Sequence, residues 1–183
     1  MRQMALIRHA RKEDAAGIAR VHVDSWRTTY DGIIKQPFLK SLSYEEKEKR
    51  WQDYFSQPPE NTVLYVAEKD DQIVGFISGG PVRDGVEGAA GELYAVYILE
   101  EYQRRGIGQR LLAALVQELK ARKLNNLFVW VLKDNPSASF YRKLGAKEWK
   151  EASFELAGQS LAEIGLLWDD LEVLKEKLAL SLK

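Results

Sequence analysis

The feature that most constrains this chain is a change of hydrophobic period inside one stretch, Glu92–Lys123. Residues Glu92 to Leu99 (ELYAVYIL) are aromatic and branched, the composition of a strand covered on both faces. From Ile107 the apolar residues recur at three- and four-residue steps. Ile107, Leu111, Leu112, Leu115, Val116 and Leu119 fall on one helical side, with Gln109, Arg110, Gln117, Glu118 and Lys120 largely off it. Gln103-Arg104-Arg105-Gly106-Ile107-Gly108 lies between the two patterns. Glycines let backbone approach a ligand, and the first N–H groups of a helix have no intrahelical partner. The helix dipole and two arginines add positive charge at the same end. These parts make an anion cradle, suited to phosphate or pyrophosphate. The same glycines would also serve a sharp strand-to-helix turn that binds nothing.

Familiar phosphate loops fit this turn poorly. A dinucleotide fingerprint needs a third glycine where Leu111 stands, and no Lys-Ser/Thr pair follows for a nucleoside-triphosphate loop. An adenine-dinucleotide oxidoreductase is therefore disfavoured.

Strand and helix patterns alternate along the chain. A strand is expected over Met4–His9, then a helix with Ala15, Ile18, Ala19, His22 and Trp26 on one face, Asp14 as its N-cap and an end before Asp31-Gly32. Phe38 to Tyr54 reads as a second helical region, stopped by Gln57-Pro58-Pro59-Glu60-Asn61. Val63–Glu68 and Gln72–Ser78 read as a hairpin around Lys69-Asp70-Asp71, with Gly79-Gly80-Pro81 ending the second strand. Arg83–Gly91 reads as a loop, Asn126–Leu132 as a strand, and Pro136–Leu144 as a short helix closed by Gly145. Lys147–Leu156 and Ser160–Trp168 make a last pair of strands. A terminal helix carries Leu171, Leu174, Leu178 and Leu182 on one stripe, to be covered by its own sheet or by a second chain. This order implies an α/β (α+β) domain, a sheet covered by helices.

At 183 residues one domain, 1–183, is the economical reading. Zero formal net charge gives no electrostatic case for nucleic acid or a membrane surface. The absence of cysteine excludes disulfides, thiolate metal sites and a cysteine acyl-enzyme. No stretch is apolar enough for a signal peptide or a membrane span, so a cytoplasmic protein is expected. Clusters with metal-ligand or triad spacing are absent, and His22 on an apolar helix face reads as structural.

The turn and a second segment together resemble the Gcn5-related N-acetyltransferase (GNAT) superfamily. Gln103-Arg104-Arg105-Gly106-Ile107-Gly108 is similar to its Q/R-x-x-G-x-G/A coenzyme A motif. Asn135-Pro136-Ser137-Ala138-Ser139-Phe140-Tyr141-Arg142-Lys143-Leu144-Gly145 is similar to its N-x-x-A/R-x-F-Y-x-x-L-G segment. Glu100 stands where many members have proline, a difference of strand exit rather than chemistry. The resemblance covers nearly all of the chain. It implies a central mixed, mostly antiparallel sheet of about seven strands. It also implies an acetyl-coenzyme A-dependent N-acetyltransferase, without metal, in which a primary amine attacks the thioester directly.

By that resemblance Arg104, Arg105, Gly106, Ile107, Gly108 and Gln109 wrap the pyrophosphate, while Val96, Tyr97 and Ile98 pair with the pantetheine arm. An N–H near Ile98 polarises the thioester oxygen, and Asn135 contacts pantetheine or simply caps its helix. The resemblance also makes Glu92 the candidate general base, since it stands eleven residues before Gln103, where histone-acetylating members of the family place their catalytic glutamate. A raised pKa is expected from its apolar neighbours. The alternatives are a Glu92 at a strand mouth, paired with a basic side chain or solvated, with an ordered water chain serving as the base. Tyr141 is the candidate acid for the leaving sulfur, or else a core tyrosine. Trp26, Tyr30, Asp31 and the Ala157–Ser160 turn border the expected acceptor site, although Trp26 and Tyr30 also have core spacing. A non-catalytic acyl-coenzyme A sensor is the rival reading, and a homodimer with the terminal helix near its interface is expected.

Overall fold

The computed structural model describes residues 4–183, and Met1–Gln3 lie outside the described residues. Each change of hydrophobic period becomes an element boundary. The order is β1 (Leu6–His9), α1 (Ala15–Thr29), α2 (Gln36–Ser41), α3 (Tyr44–Ser56), β2 (Val63–Lys69), β3 (Gln72–Pro81) and β4 (Gly91–Ile98). It continues with α4 (Ile107–Ala121), β5 (Leu127–Leu132), α5 (Ser137–Lys143), β6 (Lys147–Leu156), β7 (Gln159–Trp168) and α6 (Leu171–Ser181).

The strands form one seven-stranded sheet in the order β1-β2-β3-β4-β5-β7-β6. Every neighbouring pair is antiparallel except β4 and β5. The expected mixed, mostly antiparallel sheet is therefore present. Helices α4, α5 and α6 cover one face. Tyr141 of α5 meets the Trp168 ring edge-on, and a side chain at Gly108 in α4 would touch Phe140 of α5. Helix α1 covers the other face, where His22 and Trp26 pack on Phe76 and Tyr97. Tyr30, Ile34 and Leu39 meet Leu132 and Leu161 there. Because side chains alternate along a strand, Leu161, Glu163, Gly165 and Leu167 of β7 share one sheet face, on which Leu161 meets Tyr30 and Leu167 meets Val86.

Four local expectations are corrected. The helix expected over Phe38–Tyr54 is two helices, because Leu42 is extended (φ −62°, ψ 126°) and Ser43 begins a new helix by accepting from the Glu46 N–H at 3.2 Å. Gly79-Gly80-Pro81 continues β3 rather than ending it. There β4 passes so close that a Cβ at Gly79 would meet the Glu92 carbonyl at 2.8 Å. Pro81 pairs with Gly91 beyond the start of β2, so its missing N–H breaks no bond on that side. Asp14 precedes α1 but makes no side-chain cap. Its carboxylate accepts from Arg8 at 2.8 and 2.9 Å and from the Arg11 N–H at 2.7 Å. Leu171, Leu174 and Leu178 are buried by their own chain, with α6 against α4, whereas Leu182 lies past the helix end and is 43% exposed.

Candidate active site

The strand β4 follows β3 as far as Ile98, and β5 follows β7 as far as Leu132. The two pair with each other only at Gly91–Leu93 against Leu127–Val129. Beyond that point they diverge, and a cleft of about 830 Å³ opens between them. Residues Tyr94 to Ile98 thus have no strand partner on the β5 side, and they are half-buried where a fully covered strand was expected. A bulge adds to the distortion. Ala95 lies opposite Ser78 and Leu93 opposite Gly79, which leaves Tyr94 as the extra residue.

At one end of the cleft the chain turns from β4 into α4. Arg104 has φ 56° and Gly106 φ 78°, both in the left-handed region. For a non-glycine residue such as Arg104 this costs on the order of 1 kcal/mol. The conformation aims successive N–H groups at one point. Among the described residues, none of the backbone N–H groups from Arg104 to Gln109 makes a hydrogen bond, and the first helical one is Arg110 to Gly106 at 3.1 Å. The Gln103 side chain braces the turn by donating to the Ile98 carbonyl at 3.0 Å. The orphan donors, the glycine backbone and the dipole of a 15-residue helix fit a pyrophosphate.

The residues read from the sequence fall into two groups. Val96, Tyr97, Ile98, Arg104, Gly106, Gly108, Gln109, Asn135 and Tyr141 line the cleft, as do Trp26 and Tyr30. Arg105, Ile107 and Asp31 do not line it. The Arg105 guanidinium lies over the Tyr102 ring, Ile107 is 4% exposed in the core, and Asp31 accepts from the Gln36 amide outside the cleft.

Glu92 is not on the cleft wall. It is 2% exposed, and Arg83 claims both of its oxygens: the guanidinium donates to Oε1 at 2.8 Å, and the backbone N–H donates to Oε2 at 2.8 Å. The same guanidinium covers the Tyr94 ring at 4.2 Å. The ion-paired alternative for Glu92 is the one that this geometry matches. Tyr141 lines the cleft from α5, and burial pushes its hydroxyl well above the ordinary phenol range. Asn135 accepts from the Ser137 N–H at 2.9 Å at the start of α5 while also facing the cleft. The Tyr30 and Tyr97 hydroxyls share a hydrogen bond of 3.0 Å, and burial raises both.

The sequence reading missed Glu163 on β7. It lies across from Leu132 and Ala152 and faces the cleft on the α1 side. Burial pushes its carboxyl up. Its signal was a single carboxylate in the otherwise apolar alternate positions Leu161, Glu163, Gly165 and Leu167. Among the described residues no group of His, Cys, Asp and Glu is placed to hold a metal ion.

Residues 26–146 match the profile of the Acetyltransferase (GNAT) family. The chain belongs to that family. It is 44% identical over 172 residues to the uncharacterized N-acetyltransferase YuaI of Bacillus subtilis (strain 168), covering 94% of this chain and 97% of that protein. A spermidine N(1)-acetyltransferase of Thermoplasma acidophilum is 28% identical over 145 residues, 77% of this chain and 87% of that one. The fold is shared with PaiA N-acetyltransferase from Thermoplasma acidophilum, crystallised with coenzyme A. The TM-score is 0.70 at 23% identity, covering 88% of this chain and 98% of that chain. N-acetyl transfer is thus the enzyme's class.

Proposed function

We propose that this N-acetyltransferase passes the acetyl group of acetyl-coenzyme A directly to a primary amine, on a small molecule or a peptide N-terminus. The observation that carries the reading is the cleft between β4 and β5. It joins the donor-lined turn on the α4 face to an aromatic pocket on the α1 face. Donor and acceptor entering from opposite faces meet within it, and the chain has no cysteine to carry an acetyl group between them.

Acetyl-coenzyme A supplies the activated thioester. The N–H groups from Arg104 to Gln109 hold its pyrophosphate, and the unpaired edge of Val96, Tyr97 and Ile98 receives the pantetheine arm as an added strand. Glu163, the cleft carboxylate on the acceptor side, takes the proton that the ammonium must lose, directly or through water. The same burial that raises its carboxyl makes it a better base than an exposed glutamate. Tyr141 keeps its phenolic proton and gives it to the departing sulfur. One C–S bond is exchanged for one C–N bond; the nitrogen's second proton restores the Tyr141 phenol, and the proton taken by Glu163 is released to solvent.

The acceptor is neither nucleic acid nor membrane, and acetyl-coenzyme A sets the protein in the cytoplasm as one catalytic domain. A homodimer is retained in the proposal. Its support moves from α6, whose stripe is used internally, to the edge strand β6, where Trp149 is 48% exposed. Thiol release from acetyl-coenzyme A with a panel of amines tests the activity. Amine-dependent release above hydrolysis is expected. Acetyl-coenzyme A binding without any amine-dependent release would leave the sensor reading instead.

A further inference from the structure

The cleft changes character from one face of the sheet to the other. Its charged lining residues are Glu100, Arg104 and Glu163. Glu100 and Arg104 belong to the segment between β4 and α4, which leaves Glu163 alone at the acceptor end. The walls around it are Trp26, Tyr30, Trp130, Leu132 and Phe154. Among the described residues Glu163 has no hydrogen bond or ion pair. Lys150, which precedes its cross-strand neighbour Ala152 by two residues on β6, does not pair with it.

A partly buried carboxylate without a partner, set among aromatic faces, is unfavourable by itself. A cation supplied by a ligand relieves that cost, and the aromatic rings add attraction to it. Resting on the acetyltransferase reading above, we propose that the acceptor is a primary monoamine with an aromatic or branched-aliphatic body. Its ammonium is held by Glu163, and its body lies against Trp26, Tyr30 and Phe154. A polyamine would bring further ammonium groups that find no second carboxylate on this wall. An amino acid would bring a carboxylate beside Glu163 with no cation there to receive it. A peptide backbone would bring amides to a wall where the Tyr30 and Tyr97 hydroxyls are already engaged with each other.

Trp26 and Trp130 line the pocket, so their fluorescence reports occupancy without turnover. Titration of the full-length protein with phenethylamine, 3-methylbutylamine, spermidine and phenylalanine separates the cases. Phenethylamine and phenylalanine differ by one carboxylate. Either monoamine should bind at least about tenfold more tightly than spermidine or phenylalanine, a difference of one decade in Kd. Glu163→Gln should weaken the monoamine by a similar factor, leave acetyl-coenzyme A affinity within about twofold, and keep or raise Tm because an unpaired buried charge is removed. Equal or tighter binding of spermidine or phenylalanine, failure of every amine to bind, or an unchanged monoamine affinity in Glu163→Gln would overturn the inference. Should that variant fail to fold, the four-amine comparison on the unaltered protein decides alone. Coenzyme A release with spermidine as the preferred acceptor would sink this inference and keep the acetyltransferase. Monoamine binding with no release from any acceptor would sink the acetyltransferase reading and keep the pocket.

Discussion

The α4 end of the cleft offers backbone donors, whereas the β7 end offers side chains drawn from α1, β5, β6 and β7. The donors from Arg104 to Gln109 are six consecutive N–H groups, fixed by one turn with positive φ at Arg104 and Gly106. Trp26, Trp130, Phe154 and Glu163 are up to 137 positions apart, and only the sheet order brings them together. A backbone site tolerates any side chain that leaves the turn intact. A side-chain site can be remodelled one residue at a time without disturbing the turn. The coenzyme end can thus stay constant across a family whose acceptors differ.

The largest effect should come from closing the backbone end. A Cβ at Gly108 would lie 3.4 Å from Ile98 and 3.9 Å from Phe140, so it fits the fold. The branches of a valine would then occupy the cleft. Gly108→Val should weaken acetyl-coenzyme A binding by on the order of a hundredfold or more. Circular dichroism and Tm should stay near wild type, since valine replaces glycine within a helix. Amine quenching of the cleft tryptophans should survive. Simultaneous loss of both ligands would mean that the two ends are not independent.

A somewhat smaller effect is expected where the ends meet. Tyr141→Phe removes the proposed proton donor but keeps the ring against Trp168, 5.5 Å between centroids. Turnover should fall by about a hundredfold, within the usual range for a general acid. Steady-state kinetics should show kcat and kcat/KM falling together, with coenzyme affinity unchanged. A change confined to KM would make Tyr141 a packing residue.

The same contrast explains what could be read from the sequence. The turn, its helix and the Asn135–Gly145 segment were legible because local backbone chemistry fixes them, and Gly145 closes α5 with φ 92° as its position implied. The element order was legible from hydrophobic period. Side-chain destinations were not. Glu92 looked like a base from its spacing, but the partner that takes its carboxylate is Arg83, in a loop whose path no pattern announces. Asp14 looked like a cap, but the antiparallel strand β1 delivers Arg8 to it first. Glu163 went unread because a glutamate on a terminal strand has meaning only after β7 is placed beside β5. The Leu42-Ser43 break was readable in principle, from the Ser43-Tyr44-Glu45-Glu46 start signal.

Glu92 now tests the contrast from the buried side. If its carboxylate holds the Arg83 loop rather than a substrate proton, Glu92→Gln should act on stability. Breaking a buried charge-assisted pair should lower the unfolding free energy by roughly 2–3 kcal/mol, read from urea midpoints. Turnover of the folded variant should stay within a few-fold of wild type. A hundredfold loss of turnover at unchanged stability would return the general base to Glu92 and remove that duty from Glu163.

The smallest effect concerns what lies beneath the acceptor end. His22 stacks on Tyr97 with 5.7 Å between centroids, and it is 5.9 Å from Trp26, yet it does not line the cleft. Burial draws its pKa down to about 4, with Lys47 and Arg50 pushing the same way, and its Nδ1 is buried without a partner. In an unfolded chain histidine titrates near 6.5. Between those two values the unfolded state binds more protons than the folded one, so stability rises with pH across that window. It is fully present above about pH 6.5, and it is lost as pH falls toward the folded value. From pH 7 to pH 5 this one residue should remove somewhat under ~2 kcal/mol. His22→Phe abolishes that contribution. Its urea midpoint should therefore fall less than that of wild type over the same interval, while acetyl-coenzyme A affinity stays constant at both pH values. Amine affinity adds the sharper reading. If His22 only supports Trp26 and Tyr97 from behind, the phenylalanine variant should bind a monoamine within about threefold of wild type at pH 7. A larger loss, restored by no change of pH, would mean that the aromatic wall depends on the shape of this one ring, and that the acceptor end extends a layer deeper than the cleft.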